Sequence, residues 1–374
     1  MNLATIPTPL AGNPIAQARP PESGTCAASI VAVGSANSEH CFTQRDMLDI
    51  FGIADRRIRS VFLNGGIEKR YLTLPAIGAD GQPVVETQGE LLQKHSRQGV
   101  AMGVRALRAC LAEAGAAIAD VAYLCCVTTT GLLTPGLSAL ICHEAGLARN
   151  CGRIDVVGMG CNAGLNGLNA VNNWARAHPG KLAVLLCVEV CSAAYVFDGS
   201  METAVVNSLF GDGAAALALR AMPNPPGCTP RIMKFSSCLI PEAIRAMRFD
   251  WDDHHGKFSF YLDRDVPYVV GAHAEQVIGG LLEGSGLRRS DITHWIIHSG
   301  GKKVIDSVRL NLGLSAHDVR HTTAILMNYG NLSSGSFLFS YQRLLAEGVV
   351  RPGDHGVFMT MGPGSTIETA LLAW

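Results

Sequence analysis

The chain has 374 residues, enough for two domains or one duplicated unit around a sizeable core. Its net charge is −1 and only 16% of residues are charged, so neither a basic nucleic-acid face nor a charged interaction tail is indicated. Hydrophobic residues make up 48%, yet no apolar run approaches a membrane span, Leu182 to Val190 being far too short.

Residues 1–25, rich in Pro, Ala and Gly, read as a disordered tail with no basic or continuous apolar region of a signal peptide. Ser29–Gly34 is the first strand, and Gln44–Phe51 and Asp55–Phe62 are short helices. Leu72–Glu90 holds Pro75, Gly78, Gly81 and Pro83 and reads as loop. His95–Ala114 is an amphipathic helix whose Val100, Met102, Val104, Leu107 and Leu111 face inward. The apolar Val121–Thr128 is a buried strand, followed by a turn to Gly136 and the helix Leu137–Ala145.

The stretch Arg153–Ala170 organises the rest. Ile154–Val157 reads as a buried strand, Gly158 and Gly160 permit a sharp turn, and Ala163, Leu165, Leu168, Ala170, Val171 and Trp174 mark one face of a helix. Cys161 therefore stands on a strand-to-helix elbow, where helix amides favour thiolate and lower the usual thiol pKa of ~8.5. It is the candidate nucleophile. Most of the twelve cysteines read as small buried hydrophobes. With no C-x-x-C pair and no zinc spacing, they fit a reducing, cytoplasmic compartment.

Lys181–Val190 and Ala214–Leu219 are further strands, and Pro223–Gly227 is the candidate linker, dividing 26–222 from 228–374. Beyond it, Arg231–Leu239 is extended, Pro267–Gly284 helical, Thr293–His298 a strand and Lys302–Leu312 a helix. The second part repeats the first. Gly330-Asn331 leads the helical Leu332–Leu345, then the strand Gly356–Thr360, then Met361-Gly-Pro-Gly364 into the strand Ser365–Leu372. Gly160-Cys161 leads the same series, ending at Phe210-Gly-Asp-Gly213. Two such halves predict a duplicated α/β fold, a five-layer α/β/α/β/α sandwich with Cys161 and Asn331 at equivalent helix starts.

His298 closes a strand before Ser299-Gly-Gly301, and Asn331 has the form of a helix N-cap or an amide donor. Cys, His and an amide together suit acyl-thioester chemistry: a thiolate carries the acyl group while N–H donors hold the developing oxyanion or enolate.

These motifs carry a resemblance. Gly160-Cys161, Trp295–Gly301 with His298, Tyr329–Ser334 with Asn331, and Gly362-Pro-Gly364 resemble type III polyketide synthases of the thiolase superfamily. Phe210–Gly213 and Phe260–Pro267 resemble the gatekeeper segments of chalcone synthases. Met159, Cys191, Ala194, Thr134 and Thr360 depart from the plant pattern and resemble a bacterial branch instead.

The resemblance implies that Cys161 is acylated and that His298 and Asn331 stabilise the enolate left by decarboxylation of malonyl-CoA. It implies Phe210, Phe260, Thr129, Cys191, Ala194 and Ser333 as substrate-binding residues and Arg57, in register with the family's basic strip, as a CoA-binding cation; Lys302 is a further candidate. Malonyl-CoA would serve as starter and extender, with ring closure to a dihydroxyphenylacetyl thioester. That product belongs to a glycopeptide-antibiotic pathway with hydratase-like partner enzymes. No metal or bound cofactor is called for, CoA thioesters being substrates, and the family implies a homodimer. The alternatives are a ketoacyl synthase III-like enzyme, a synthase with another starter, and a non-catalytic thiolase-fold partner subunit. A nucleotide-binding oxidoreductase is set aside, because Gly158–Gly164 lacks the dinucleotide spacing.

Overall fold

Strand β1 (Ala28–Asn37) opens a computed structural model that describes residues 27–223 and 228–374. The expected tail 1–25 and most of the expected linker 223–227 lie outside the described residues. The chain continues through β2 (Cys41–Thr43), α1 (Gln44–Ile50), α2 (Arg56–Asn64), β3 (Lys69–Tyr71), α3 (Gln88–Glu113) and β4 (Val121–Thr128). Next come α4 (Leu137–Ala145), β5 (Gly152–Val157), α5 (Ala163–Ala177), β6 (Leu182–Glu189), α6 (Met201–Leu209) and β7 (Gly213–Ala221). The second part holds β8 (Arg231–Leu239), the hairpin β9 (Met247–Asp252) and β10 (Lys257–Leu262), α7 (Val266–Leu282) and β11 (His294–Ile297). It ends with α8 (Lys302–Asn311), α9 (Arg320–Tyr329), α10 (Ser336–Glu347), β12 (His355–Gly362) and β13 (Thr366–Ala373).

Nine strands run in the order β11-β12-β13-β8-β1-β7-β6-β4-β5. The join between β1 and β8 is the single pair Ser29 and Arg231, so the array is two sheets meeting at one point. Helices α5 and α10 fill the space between them. Their Leu165, Leu168, Val171, Phe337, Tyr341 and Leu344 pack against Cys125, Leu185 and Leu217 of one sheet and Ile296, Phe358 and Leu372 of the other. Each fully buried Leu or Val side chain there contributes about 1.5–3 kcal/mol. Helices α3 and α4 cover the outer face of the first sheet, and α7 and α8 that of the second. This is the expected five-layer sandwich.

Small residues let α5 approach both α10 and the first sheet closely. A β-carbon on Gly164 would stand 2.6 Å from the Phe337 ring, and one on Gly167 would stand 2.8 Å from Leu185 and Val127.

Several elements differ from expectation: β5, expected to be buried, is an edge strand of the sheet that leaves Ile154 and Val157 exposed, because only β4 pairs with it. Helix α3 starts at Gln88 rather than His95, because Thr87 and Glu90 form a capping box that ends the loop early. The β9–β10 hairpin and α9 carry no expected counterpart.

Candidate active site

Cys161 sits where β5 gives way to α5. Gly158 and Gly160 take φ of 83° and 79°, values that a side chain disfavours, and a 3-10 turn over Gly160–Asn162 leads into α5. The C-terminal turn after β12 closes over this elbow: a β-carbon on Gly362 would stand 2.8 Å from the Cys161 nitrogen.

Asn331 follows α9 through Gly330, whose φ is 71°. Its backbone forms a bridge with the end of α6: the Gly211 N–H donates to its carbonyl at 3.0 Å and its own N–H donates to the Leu209 carbonyl at 2.9 Å. Its side-chain oxygen accepts from the Ser333 N–H at 2.8 Å, which fixes the amide plane. The Asn331 side chain favours the Cys161 thiolate, and Ser333 Oγ lies 3.5 Å from the sulfur.

His298 is held at the end of β11 by its N–H donating to the Met359 carbonyl at 2.8 Å. Its ring is backed by Gly300, and its buried Nδ1 has no hydrogen-bond partner. Met359 lies three residues before Gly362 on β12, about 10 Å along a strand.

Thr129, Cys191, Ala194, Phe210, Phe260 and Ser333 wall one cavity with Cys161. His298 and Asn331 are not among its walls. The cavity is narrow, with about 30 Å³ open to the centre of a water molecule. Phe210 and Phe260 meet edge to face at 5.7 Å between ring centres. Arg57 and Lys302 lie outside it, both exposed. Arg57 is in the first turn of α2, and the Lys302 stem reaches toward Gly66, just past that helix's other end. Helix α2 is nine residues long, about 13 Å, so the two cations flank opposite ends of it.

Burial dominates the electrostatics. It pushes the Cys161 thiol up to about 12, outweighing the hydrogen bonds from Ser333 and Asn331. This corrects the expectation of a helix-lowered pKa: enclosure penalises a lone thiolate more than the elbow favours it. Burial likewise pulls His298 down to about 3, leaving a neutral imidazole. A third buried group is Glu189, whose carboxyl is raised by burial while Ser334 and the Thr129 N–H oppose the shift.

Several wall residues escaped sequence reasoning. Phe249 packs on Phe260 at 5.0 Å, and Tyr195 also lines the cavity. The two-residue alternation of Phe249, Trp251, Phe258 and Phe260 was the available signal for the hairpin. Glu189, a lone carboxylate ending an otherwise apolar strand, was another.

Family models match in two parts: "Chalcone and stilbene synthases, N-terminal domain" over residues 16–223 and the corresponding C-terminal domain over 236–373. The chain is 61% identical over 351 residues to a 3,5-dihydroxyphenylacetyl-CoA synthase of Streptomyces toyocaensis, covering 92% of this chain and 90% of that protein. It is 62% identical over 343 residues to one from Amycolatopsis balhimycina, covering 91% and 92%. Among solved structures, PKS-I of the brown alga Ectocarpus siliculosus aligns with a TM-score of 0.88 at 26% identity, covering 94% of this chain and all of that one. The tetrahydroxynaphthalene synthase of Streptomyces coelicolor A3(2), a bacterial type III polyketide synthase, aligns at 0.80 and 26%, covering 92% and 99%.

Proposed function

The chain belongs to the chalcone and stilbene synthase family of type III polyketide synthases, acyl-transferring enzymes, and we propose that it builds 3,5-dihydroxyphenylacetyl-CoA from malonyl-CoA on Cys161. The observation that carries the product assignment is the near-full-length identity to synthases of that name.

The proposed mechanism assigns each residue a step. The Cys161 proton passes to His298 as the sulfur attacks the thioester carbonyl, and CoA leaves as its thiol with that proton. A second malonyl group loses CO₂, and its electron pair forms an enolate. The neutral His298 N–H and the Asn331 amide donate to the enolate oxygen, which a charged imidazole is not needed to do. The enolate carbon attacks the Cys161 thioester, forming the C–C bond and expelling the thiolate. Phe210, Phe260, Thr129, Cys191, Ala194 and Ser333 shape the growing chain, and Arg57 and Lys302 meet CoA phosphates as charge-assisted donors.

The reading includes a division into catalytic halves at 26–222 and 228–374, CoA thioesters as the only non-protein reactants, and a cytoplasmic location. No helix among the described residues is long and apolar enough to cross a membrane. A homodimer is part of it, supported by the edge strand β5, which leaves Ile154, Val157 and the following Met159 exposed. Antibiotic biosynthesis with hydratase-like partner enzymes completes it.

The test is purified protein with malonyl-CoA alone, following CoA and CO₂ and identifying products by mass spectrometry. A dihydroxyphenylacetyl product absent with Cys161→Ala is expected. Decarboxylation without that product would overturn the product assignment.

A further inference from the structure

Four consecutive carbonyls at the end of α6 are left over by the helix and each needs a donor. Asn207 and Phe210 are taken by the guanidinium of Arg70, whose Nη1 lies 2.6 and 2.7 Å from their oxygens. Ser208 accepts from the Gln44 side-chain amide at 2.8 Å, and Leu209 accepts from the Asn331 N–H at 2.9 Å. Gln44 is itself held, its Oε1 accepting from Arg70 Nη2 at 2.8 Å. Tyr195, on the cavity wall, accepts from Arg70 at 2.8 Å and donates to the Phe210 carbonyl at 2.5 Å.

Arg70 is fully enclosed, and among the described residues no carboxylate forms an ion pair with it. A surface role is therefore excluded: Nη1 is directed at the helix-end oxygens of Asn207 and Phe210, where a cation is favoured, and Nη2 at Gln44. Its stem also presses on Gly330, where a β-carbon would stand 2.8 Å from Arg70 Cδ and 2.6 Å from the Leu209 oxygen. One side chain thus touches the segment bearing Phe210 and the residue preceding Asn331.

We propose that Arg70 is a positioning residue that locks the end of α6 and thereby sets both the Phe210 ring at the cavity wall and the Asn331 amide beside Cys161. The inference rests on the roles assigned above to Phe210 and Asn331. Lysine is not an equivalent, because one ammonium cannot span two carbonyls and Gln44 with fixed geometry.

The experiment compares Arg70→Lys with the unaltered protein. Cys161 alkylation counts competent sites, and malonyl-CoA decarboxylation per site gives kcat and KM. Hydrogen exchange is followed in peptides spanning 205–213 and 327–336. The expected result is a ~10-fold or greater fall in kcat per site with KM changed less than ~2-fold, together with faster exchange confined to those peptides. Unchanged kcat per site with unchanged exchange overturns the proposal. If the unaltered protein does not act on malonyl-CoA, the functional reading fails, while the exchange data still decide whether Arg70 holds the two segments. If Arg70→Lys shows no cooperative melting, Tyr195→Phe removes one donor to the Phe210 carbonyl. Faster exchange at 205–213 then supports the clamp, and unchanged exchange sinks it.

Discussion

The carboxylate of Glu189 accepts a hydrogen bond from the Ser334 hydroxyl at 2.5 Å, joining the end of β6 to the turn before α10. The Thr129 N–H donates to its other oxygen at 3.0 Å, and among the described residues no cation pairs with it. One buried acid therefore ties β6 both to the turn before α10 and to Thr129, a wall of the cavity.

That acid makes stability depend on pH. Burial raises its pKa in the folded protein above the ~4.3 of an unfolded glutamate. Below the unfolded value both states hold the proton. As pH rises through the folded pKa, the folded state must bury a charge and stability falls. Glu189→Gln, which keeps an acceptor for Ser334, is expected to melt higher than the parent at pH 8. The difference should shrink toward pH 4 in melting curves recorded across that range.

Cys161 reactivity should depend on His298. Each group alone resists charging, the thiol rising to about 12 and the imidazole falling to about 3. Proton transfer between them offsets two penalties with one attraction. In His298→Gln the thiol keeps its burial and its Ser333 and Asn331 partners but loses its proton acceptor, so the midpoint of iodoacetamide reactivity should move to higher pH. A midpoint that stays in place would separate the two residues.

Phe249 should limit the size of the chain that the cavity holds. Phe249→Ala removes a ring packed 5.0 Å from Phe260, at a cost of about 1–2 kcal/mol for a half-buried aromatic. Longer or differently cyclised products should appear in mass spectra of malonyl-CoA incubations, with Cys161 alkylation retained.

Arg57 and Lys302 should act on binding rather than on chemistry. Arg57→Ala and Lys302→Ala are expected to raise KM for malonyl-CoA about 3–10-fold with kcat little changed, the worth of one exposed phosphate contact. The effect should fade as salt is added to the steady-state assay, since both side chains face solvent.

Gly164→Ala should weaken the central layer. The new methyl would meet Phe337 on the neighbouring helix at 2.6 Å, and overpacking of this kind costs about 1–3 kcal/mol. A lower urea midpoint at constant slope would show it.

The legible parts of this chain were those where local and tertiary preference agree. Helix α5 announced itself because Leu165, Leu168 and Val171 repeat at helical spacing and Gly158 and Gly160 punctuate its start. Cys161 was found from that punctuation alone, but its protonation was not, because enclosure comes from Phe210, Pro363 and Ser333, all distant in sequence. The hairpin was masked by Asp250, Asp252, Asp253, His254 and His255, which blur its alternation with the charge of a solvated turn. Helix α9 begins after Val319, which offers no side-chain cap. Arg70 was unreadable for a different reason: a charged residue beside Lys69 looks like surface until the carbonyls it serves are brought to it by α6.

Among the described residues the two sheets pair only at Ser29 and Arg231, beside the Ile30 N–H bond to the Pro230 carbonyl, and pack on the helices between them. During synthesis, β5 and α5 emerge long before α10, so the apolar side of α5 that α10 later covers has no partner in the growing chain. The same delay applies to chemistry. Cys161 is made early, but His298 and Asn331 belong to the last quarter of the sequence. On the proposed chemistry, a chain still lacking these residues would leave that side of α5 uncovered and Cys161 without its partners.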